Sequence, residues 1–355
     1  MLEKDENYLR DMINAPSPTG TEYHVARIVR ERLSETADHI ETDVMGSVHA
    51  FLKGNAEAPS VMFAAHMDEI GLMVTYISDE GFLSVTAVGG VDPAILPGLR
   101  VDVQTETETL RGVVGRKPIH LITPDERKNV TPLNELVIDL GLPGEVVKEK
   151  VSIGDVITFG VGYERYGENM AISRAFDDKA GVWVITRALE LIKEAGGAQG
   201  DCIAACTVQE EIGTRGAITS SYHVNPEVGI AFDVTHATDY PGIAKTKYGD
   251  LRCGAGPVIA RGPNINPVVF NRLCKAAEAE GIKYQVEAEP GATGTDARSI
   301  QIARGGKACG LVSIALRYMH TPTEVINLQD LEDCAKLLAR FVLDLEEDIS
   351  FVPGM

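Results

Sequence analysis

The sequence predicts an α/β fold: an α/β/α layered domain on a largely parallel or mixed sheet, interrupted by a small β-barrel-like insert. Three observations carry this. Residues 1–69 and 165–355 alternate short apolar runs with amphipathic helical stretches, the pattern of strands covered on both faces by helices. Residues 70–164 instead string short apolar runs between Gly, Pro and Asp turns, the texture of a small antiparallel β-domain. Finally, acids and histidines fall at the ends of five apolar or helix-opening segments, where sites gather in open α/β sheets.

The elements follow in order. In "TEYHVARIVRERLSE" residues Val25, Ile28, Val29 and Leu33 share one helical face, with Thr21 placed to cap it. "VMFAAHMD" (61–68) has the apolar density of a buried strand. Within the insert, "GLMVTYI", "FLSVTAV", "LRVDVQT", "LRGVVGR" and "GDVITFG" read as strands, with no long helix among them. After it, "DDKAGVWVITRALELIKEAGG" reads as a helix closed by Gly196. "CIAACTV", "EVGIAFDV" and "KACGLVSIAL" read as strands, and "PVVFNRLCKAAEAEGI" as a helix. A C-terminal helix over about 328–346 carries Leu331, Leu337, Leu338 and Val342. The boundaries expected from this are 1–69 with 165–355 for the α/β domain and 70–164 for the insert.

Composition narrows the function classes. A hydrophobic share of 44% with 24% charged residues is that of a globular protein. No apolar run reaches a membrane span, and a net charge of −19 argues against a nucleic-acid surface, which needs a basic face. The charged start "MLEKDENYLRDM" lacks a signal-peptide core, so a cytoplasmic location is expected. Six cysteines without a CxxC pair are expected to be buried, reduced thiols.

The chemistry-bearing segments are "AAHMDE" (His66, Asp68), "AFDDKAG" (Asp177, Asp178), "VQEEIG" (Glu210, Glu211), "AFDVTH" (Asp233, His236) and "RYMHTP" (His320). Each has a plainer reading alone: a core histidine, a helix-start acid, a turn residue or a surface loop. Together, two histidines and several carboxylates suit a pair of divalent ions about 3.5–4 Å apart sharing a carboxylate and a water. Asp68 is placed to hold the second ring nitrogen of His66, as carboxylates do for metal-bound imidazoles. Side chains alternate along a strand, so Glu210 and Glu211 are expected to divide the work, one on metal and one toward substrate.

"AAHMDEIG", "RAFDDKAG", "QEEIGTRGA", "AFDVTHATD" and "RYMHTPTEVI" resemble the signature segments of the M42 metallo-aminopeptidases. That family includes glutamyl and deblocking aminopeptidases, tetrahedral TET peptidases and proteins labelled endoglucanase or cellulase M. The likeness spans nearly the whole chain, including "GVVGRKPIHLITPDERKNVTPLNELVIDLG" in the insert. It implies the di-metal aminopeptidase fold, with His66 and Asp233 on one ion, Glu211 and His320 on the other, and Asp177 bridging. It further implies Glu210 as general base, Asp68 orienting His66, Asp178 in a structural role and a cis peptide after Asp177. The cofactors implied are two divalent ions per subunit, zinc first, with cobalt or manganese also suited. The insert would serve dimerisation, with dimers assembling into twelve-subunit tetrahedra, and the substrates would be peptides with a free N-terminus.

Rival readings are an amidase or deacylase on the same site, a non-catalytic assembly protein, and a glycoside hydrolase. The last needs two carboxyls facing across the bond, roughly 5–9.5 Å apart, which adjacent acids do not supply. An acid-selective specificity pocket would need a cation, and Lys245, Lys247, Arg252, Arg298 and Arg317 are the candidates. Thr295 and Asp296 are expected to cap a helix or line the site.

Overall fold

The computed structural model describes residues 1–354. The chain opens with α1 (Glu3–Asn14) and α2 (Tyr23–Leu33), then β1 (His39–Thr42), β2 (Val48–Leu52) and β3 (Val61–His66). Val25, Val29 and Leu33 of α2 are buried as their spacing requires. Thr21 does not cap this helix; its hydroxyl donates to the Pro18 carbonyl at 2.6 Å, and Glu22 takes the cap position instead.

Six strands close into a barrel: β4 (Gly71–Ile77), β5 (Leu83–Val88), β6 (Arg100–Gln104), β7 (Thr109–Gly115), β8 (Val137–Asp139) and β9 (Val156–Phe159). Their order around the barrel is β4-β5-β8-β7-β6-β9, and every pairing is antiparallel. Leu72, Val74, Leu83, Val101, Val103, Ile138, Ile157 and Phe159 fill it. Two of its elements fall outside the runs read as structured, β8 and the short helix α3 (Gly144–Lys150). A three-residue strand carries too little alternation to be read from sequence.

Beyond the barrel come β10 (Glu164–Tyr166), β11 (Met170–Ser173), α4 (Phe176–Glu194), β12 (Cys202–Thr207), α5 (Arg215–Val224), β13 (Val228–His236), α6 (Lys245–Tyr248) and β14 (Val258–Arg261). The chain ends through α7 (Pro267–Ala279), β15 (Gln285–Ala288), α8 (Ala297–Gln301), β16 (Ala308–Leu316), β17 (Glu324–Asn327) and α9 (Leu328–Leu343). The main sheet runs β1-β2-β12-β3-β13-β16-β14-β15. Its centre, β12-β3-β13-β16, is parallel, while β2 and β14 join antiparallel, which makes the sheet mixed.

Strand alternation splits the apolar side chains between two layers. Val61, Phe63 and Ala65 of β3, Cys202, Ala204 and Cys206 of β12, and Ile230 and Phe232 of β13 face the layer of α1, α2, α4, α7 and α9. Met62, Ala64, Ile203, Ala205 and Ala231 face the opposite layer with Ala297 and Ile300 of α8. Each fully buried large aliphatic or aromatic side chain contributes roughly 1.5–3 kcal/mol, so these layers hold the strand ends rigidly. Cys202, Cys206, Cys309 and Cys334 are buried, Cys253 and Cys274 are half-buried, and all six are unpaired. Among the described residues no helix is long and apolar enough to cross a membrane.

Candidate active site

The parallel core places its chemistry at one end. His66 is the last residue of β3, Asp233 lies near the end of β13, Glu210 and Glu211 follow β12, and His320 follows β16. These four strands are neighbours, so segments up to 254 residues apart converge on one crevice, as the topology of open α/β sheets dictates. Asp177 and Asp178 enter from the first turn of α4, joined by a cis peptide bond.

Asp177 sits at the centre. Its Oδ1 lies 3.1 Å from His66 Nε2 and its Oδ2 3.4 Å from His320 Nε2, so one carboxylate addresses both imidazoles. Asp233 Oδ1 is 4.0 Å from His66 Nε2, and Glu211 Oε1 is 3.5 Å from His320 Nε2. Two sets of possible ligand atoms, those of His66, Asp177 and Glu211 and those of His66, Asp178 and Asp233, each fall within 4.8 Å of one another. Asp178 is otherwise occupied: its oxygens accept from the backbone N–H of Gly181 at 3.0 Å and of His66 at 3.3 Å. A Cβ at Gly181 would lie 2.4 Å from that carboxylate, so the position requires glycine.

Asp68 is fully buried. Its carboxylate accepts from the Thr19 hydroxyl at 2.8 Å and from the backbone N–H groups of Glu210 and Glu211 at 3.0 and 3.2 Å. It stands 3.4 Å from His66 Nδ1, whose closer partner is the Asp68 carbonyl at 3.1 Å. Asp68 therefore fixes the glutamate loop as well as the imidazole. The glutamates themselves lie beyond β12, not on it, with Gln209 at φ 56° turning the chain. Turn geometry, rather than strand alternation, sends Glu211 toward His320 and Glu210 the other way. Glu210 Oε1 is buried without a hydrogen-bond partner among the described residues.

Electrostatics here are dominated by crowded acids. Burial, with repulsion from Asp233 and Asp296, pushes Glu210 up to about 9. Burial and Asp177 raise Asp233 well above the carboxylate range. His320, beside Asp177 and Glu211, is held up to about 11. Burial opposes a charge on His66, yet Asp177 and Asp68 hold its pKa well above the ordinary value. The two imidazoles are outnumbered by the carboxylates of Asp68, Asp177, Asp178, Glu210, Glu211 and Asp233. Nitrogen and oxygen donors converging with surplus negative charge and an orphaned carboxylate oxygen fit divalent cations.

Several supporting residues escaped the sequence reading. Glu324 accepts from the backbone N–H of Asp177 and of His320, both at 3.1 Å, and so joins the two segments. It stands four residues after His320 inside a quoted motif, which was the available signal. Gly90 accepts from His320 Nδ1 through its carbonyl at 3.0 Å, and a Cβ there would lie 2.8 Å from that nitrogen. Buried Glu69 pairs with Arg174 and Lys179, both at 2.9 Å, tying the loop after β3 to the start of α4. Nothing local marks that triad in sequence.

The crevice opens into a cavity of about 500 Å³ lined by the site together with Thr235, His236, Glu287, Glu289, Thr295 and Arg298. Of the five cations considered for specificity only Arg298 lines it. Lys245 and Arg252 pair with Asp250, Arg317 pairs with Asp239, and Lys247 lies over Tyr248. Thr295 lines the cavity and accepts the Ala297 N–H at 3.2 Å; Asp296 makes no side-chain cap and accepts from the Thr207 hydroxyl at 2.6 Å.

Residues 46–337 match the model of the M42 glutamyl aminopeptidase family. The chain is 35% identical to the lysyl aminopeptidase of Pyrococcus furiosus, over 98% of this chain and 99% of that one. It superposes on an aminopeptidase from the archaeon Desulfurococcus kamchatkensis with a TM-score of 0.89 at 37% identity, covering 96% of each. It superposes on the Pyrococcus horikoshii TET1 peptidase, which can assemble into a tetrahedron or a large octahedral shell, with a TM-score of 0.85 at 31% identity, covering 96% of this chain and 100% of that one. A match over most of its length, on a fold that brings the motif residues to one crevice, establishes that the chain belongs to the M42 family of aminopeptidases, peptide-bond hydrolases.

Proposed function

We propose that the protein removes N-terminal residues from peptides at a centre holding two divalent ions, with Glu210 as the proton carrier. The observation that carries this is Asp177, whose two oxygens address His66 and His320 separately, beside the unpartnered Glu210 Oε1. His66 and Asp233 would hold one ion, Glu211 and His320 the other, with Asp177 shared; zinc, cobalt and manganese all suit this donor set. When bound, such ions acidify a water and polarise a carbonyl.

The chain's own groups do the rest. With cations beside it to favour its ionised form, Glu210 takes a proton from the attacking water and returns it to the leaving amine, the role its free oxygen and position at the cavity suit. Asp68 holds the loop that presents Glu210, and Asp178 holds the backbone of His66. The surplus of carboxylates favours a substrate's α-ammonium group, which selects chain ends over internal bonds. The amidase and glycosidase readings gain no support from this arrangement. Assembly into closed shells, as the TET relative does, and a cytoplasmic setting for the six free thiols complete the reading. The test is release of chromophore from aminoacyl-p-nitroanilides by chelator-stripped protein resupplied with zinc, cobalt or manganese. Ion-dependent turnover that an N-acetyl block abolishes is expected. Failure on every free-amine substrate, from protein carrying two ions, would refute it.

Substrate preference follows from the cavity wall. Glu287 and Glu289 share one face of the chain leaving β15, and burial raises both above the ordinary carboxylate pKa. Thr235 donates to Glu287 at 2.8 Å and fixes it. Two acids against the single exposed Arg298 favour a cationic first side chain, in keeping with the lysyl aminopeptidase among its relatives. A charged hydrogen bond contributes roughly 1.5–3 kcal/mol. Glu287→Gln with Glu289→Gln should therefore lower kcat/KM for Lys-p-nitroanilide at least about tenfold and leave Leu-p-nitroanilide little changed. A wild-type preference for Glu-p-nitroanilide would assign the pocket to Arg298 instead.

A further inference from the structure

We propose that Glu41, His49 and His223, none of which lines the catalytic crevice, form a separate cation site for a zinc-class divalent ion. Glu41 lies on the edge strand β1 and is the direct cross-strand partner of His49 on β2. His223 reaches the pair from the last turn of α5. Glu41 Oε1 lies 3.5 Å from His49 Nδ1 and 2.6 Å from His223 Nε2, and the three possible ligand atoms all fall within 4.8 Å. A tetrahedral ion with bonds near 2.0–2.1 Å spaces its ligand atoms roughly 3.3 Å apart. The His49 contact already has that spacing. The His223 contact must open slightly, which its 59% exposed side chain permits.

A second observation points the same way. His49 is fully buried, and its Nδ1, the nitrogen facing Glu41, has no hydrogen-bond partner among the described residues. Its other nitrogen, Nε2, is engaged by the Ser220 hydroxyl at 2.8 Å. That is the arrangement of a metal-bound imidazole, in which one nitrogen is oriented by a protein hydrogen bond and the other presents its lone pair. Burial also lowers the His49 pKa, which keeps the ring neutral and able to ligate.

The surroundings attract positive charge. His223 sits at the C-terminal end of α5, the negative pole of the helix. Asp43 lies close enough to act on His49, its Oδ1 held by the N–H groups of Met45, Gly46 and Ser47. His39 Nε2, 3.6 Å from the other oxygen of Glu41, stands beside the cluster as a further imidazole. Two imidazoles and one carboxylate exclude magnesium and calcium, which take oxygen ligands, and select zinc or its neighbours. Because α5 begins four residues after Glu211, an ion here would pin the far end of that helix to the β1–β2 hairpin without touching substrate.

The test counts ions in the full-length protein after equilibration in zinc-buffered solution. Glu41→Gln, an isosteric change at a half-buried edge-strand position, and His223→Ala, at an exposed one, should each carry one zinc equivalent fewer than wild type and keep its aminopeptidase turnover. The zinc-induced rise in Tm should be smaller in both variants. Equal zinc counts and equal Tm shifts in the three proteins would show instead a plain carboxylate–imidazole cluster and overturn the site.

Discussion

Glu210→Gln is expected to lower kcat on aminoacyl-p-nitroanilides by about 10²–10⁴-fold, the usual contribution of a positioned general base, while KM changes little. The expectation rests on what Glu210 does not do. Its Oε1 makes no hydrogen bond, and it is not paired with either imidazole, so the amide fits without breaking a contact. Asp68 holds the loop through the Glu210 backbone, which the substitution leaves untouched. Exchanging a buried acid crowded by Asp233 and Asp296 for a neutral isostere should also leave thermal stability equal or higher. Unchanged ion content with collapsed turnover isolates proton transfer. Retention of a third or more of the wild-type kcat would end the assignment.

The same loop shows what the sequence could and could not reveal. The adjacency of Glu210 and Glu211 leads to the expectation that the two side chains part, and Glu211 does stand beside His320 while Glu210 does not, but the reason lies elsewhere. Strand alternation does not apply to them, because β12 ends at Thr207 and the turn at Gln209 sets their directions. Strand ends were readable because a buried parallel strand is a dense apolar run, and the candidate ligands His66 and Asp233 stand at or near the ends of such runs in "AAHMD" and "AFDV". Glu69 was not, since its partners Lys179 and Arg174 are distant in sequence; Glu324 was marked only by its place four residues after His320, while its other partner, the Asp177 N–H, lies far away in the chain. Likewise Thr21 had the residue type of a cap but was taken by the Pro18 carbonyl, one residue before the helix cap. Periodicity reports which face is buried; it carries no information on which loop closes over which.

Asp233→Asn carries the other large expectation, and it runs in two directions. Asp233 is buried on β13 with its pKa raised well above the ordinary range, first by burial and then by Asp177, so its ionised form opposes folding when no cation is near. A carboxyl raised in this way costs nothing below its unfolded pKa, and the cost grows as the pH rises toward the folded pKa, so it is present at pH 7. The neutral asparagine should therefore raise the Tm of chelator-treated protein at pH 7, an effect that shrinks as the pH falls toward the pKa of Asp233 in the unfolded chain. In the presence of zinc the order should reverse: the wild type gains stability by binding ions, and the variant, lacking one ligand beside His66, gains less. Losing several kcal/mol of charge stabilisation at that ion should cost turnover on the order of 10³-fold. Differential scanning with and without chelator reads the first two effects and steady-state kinetics the third. A variant that is less stable than wild type in chelator, yet gains as much from zinc, would show that Asp233 supports the fold and not the ion. The stability that this carboxylate sacrifices in the ion-free chain is then the measure of how far the crevice is built for positive charge.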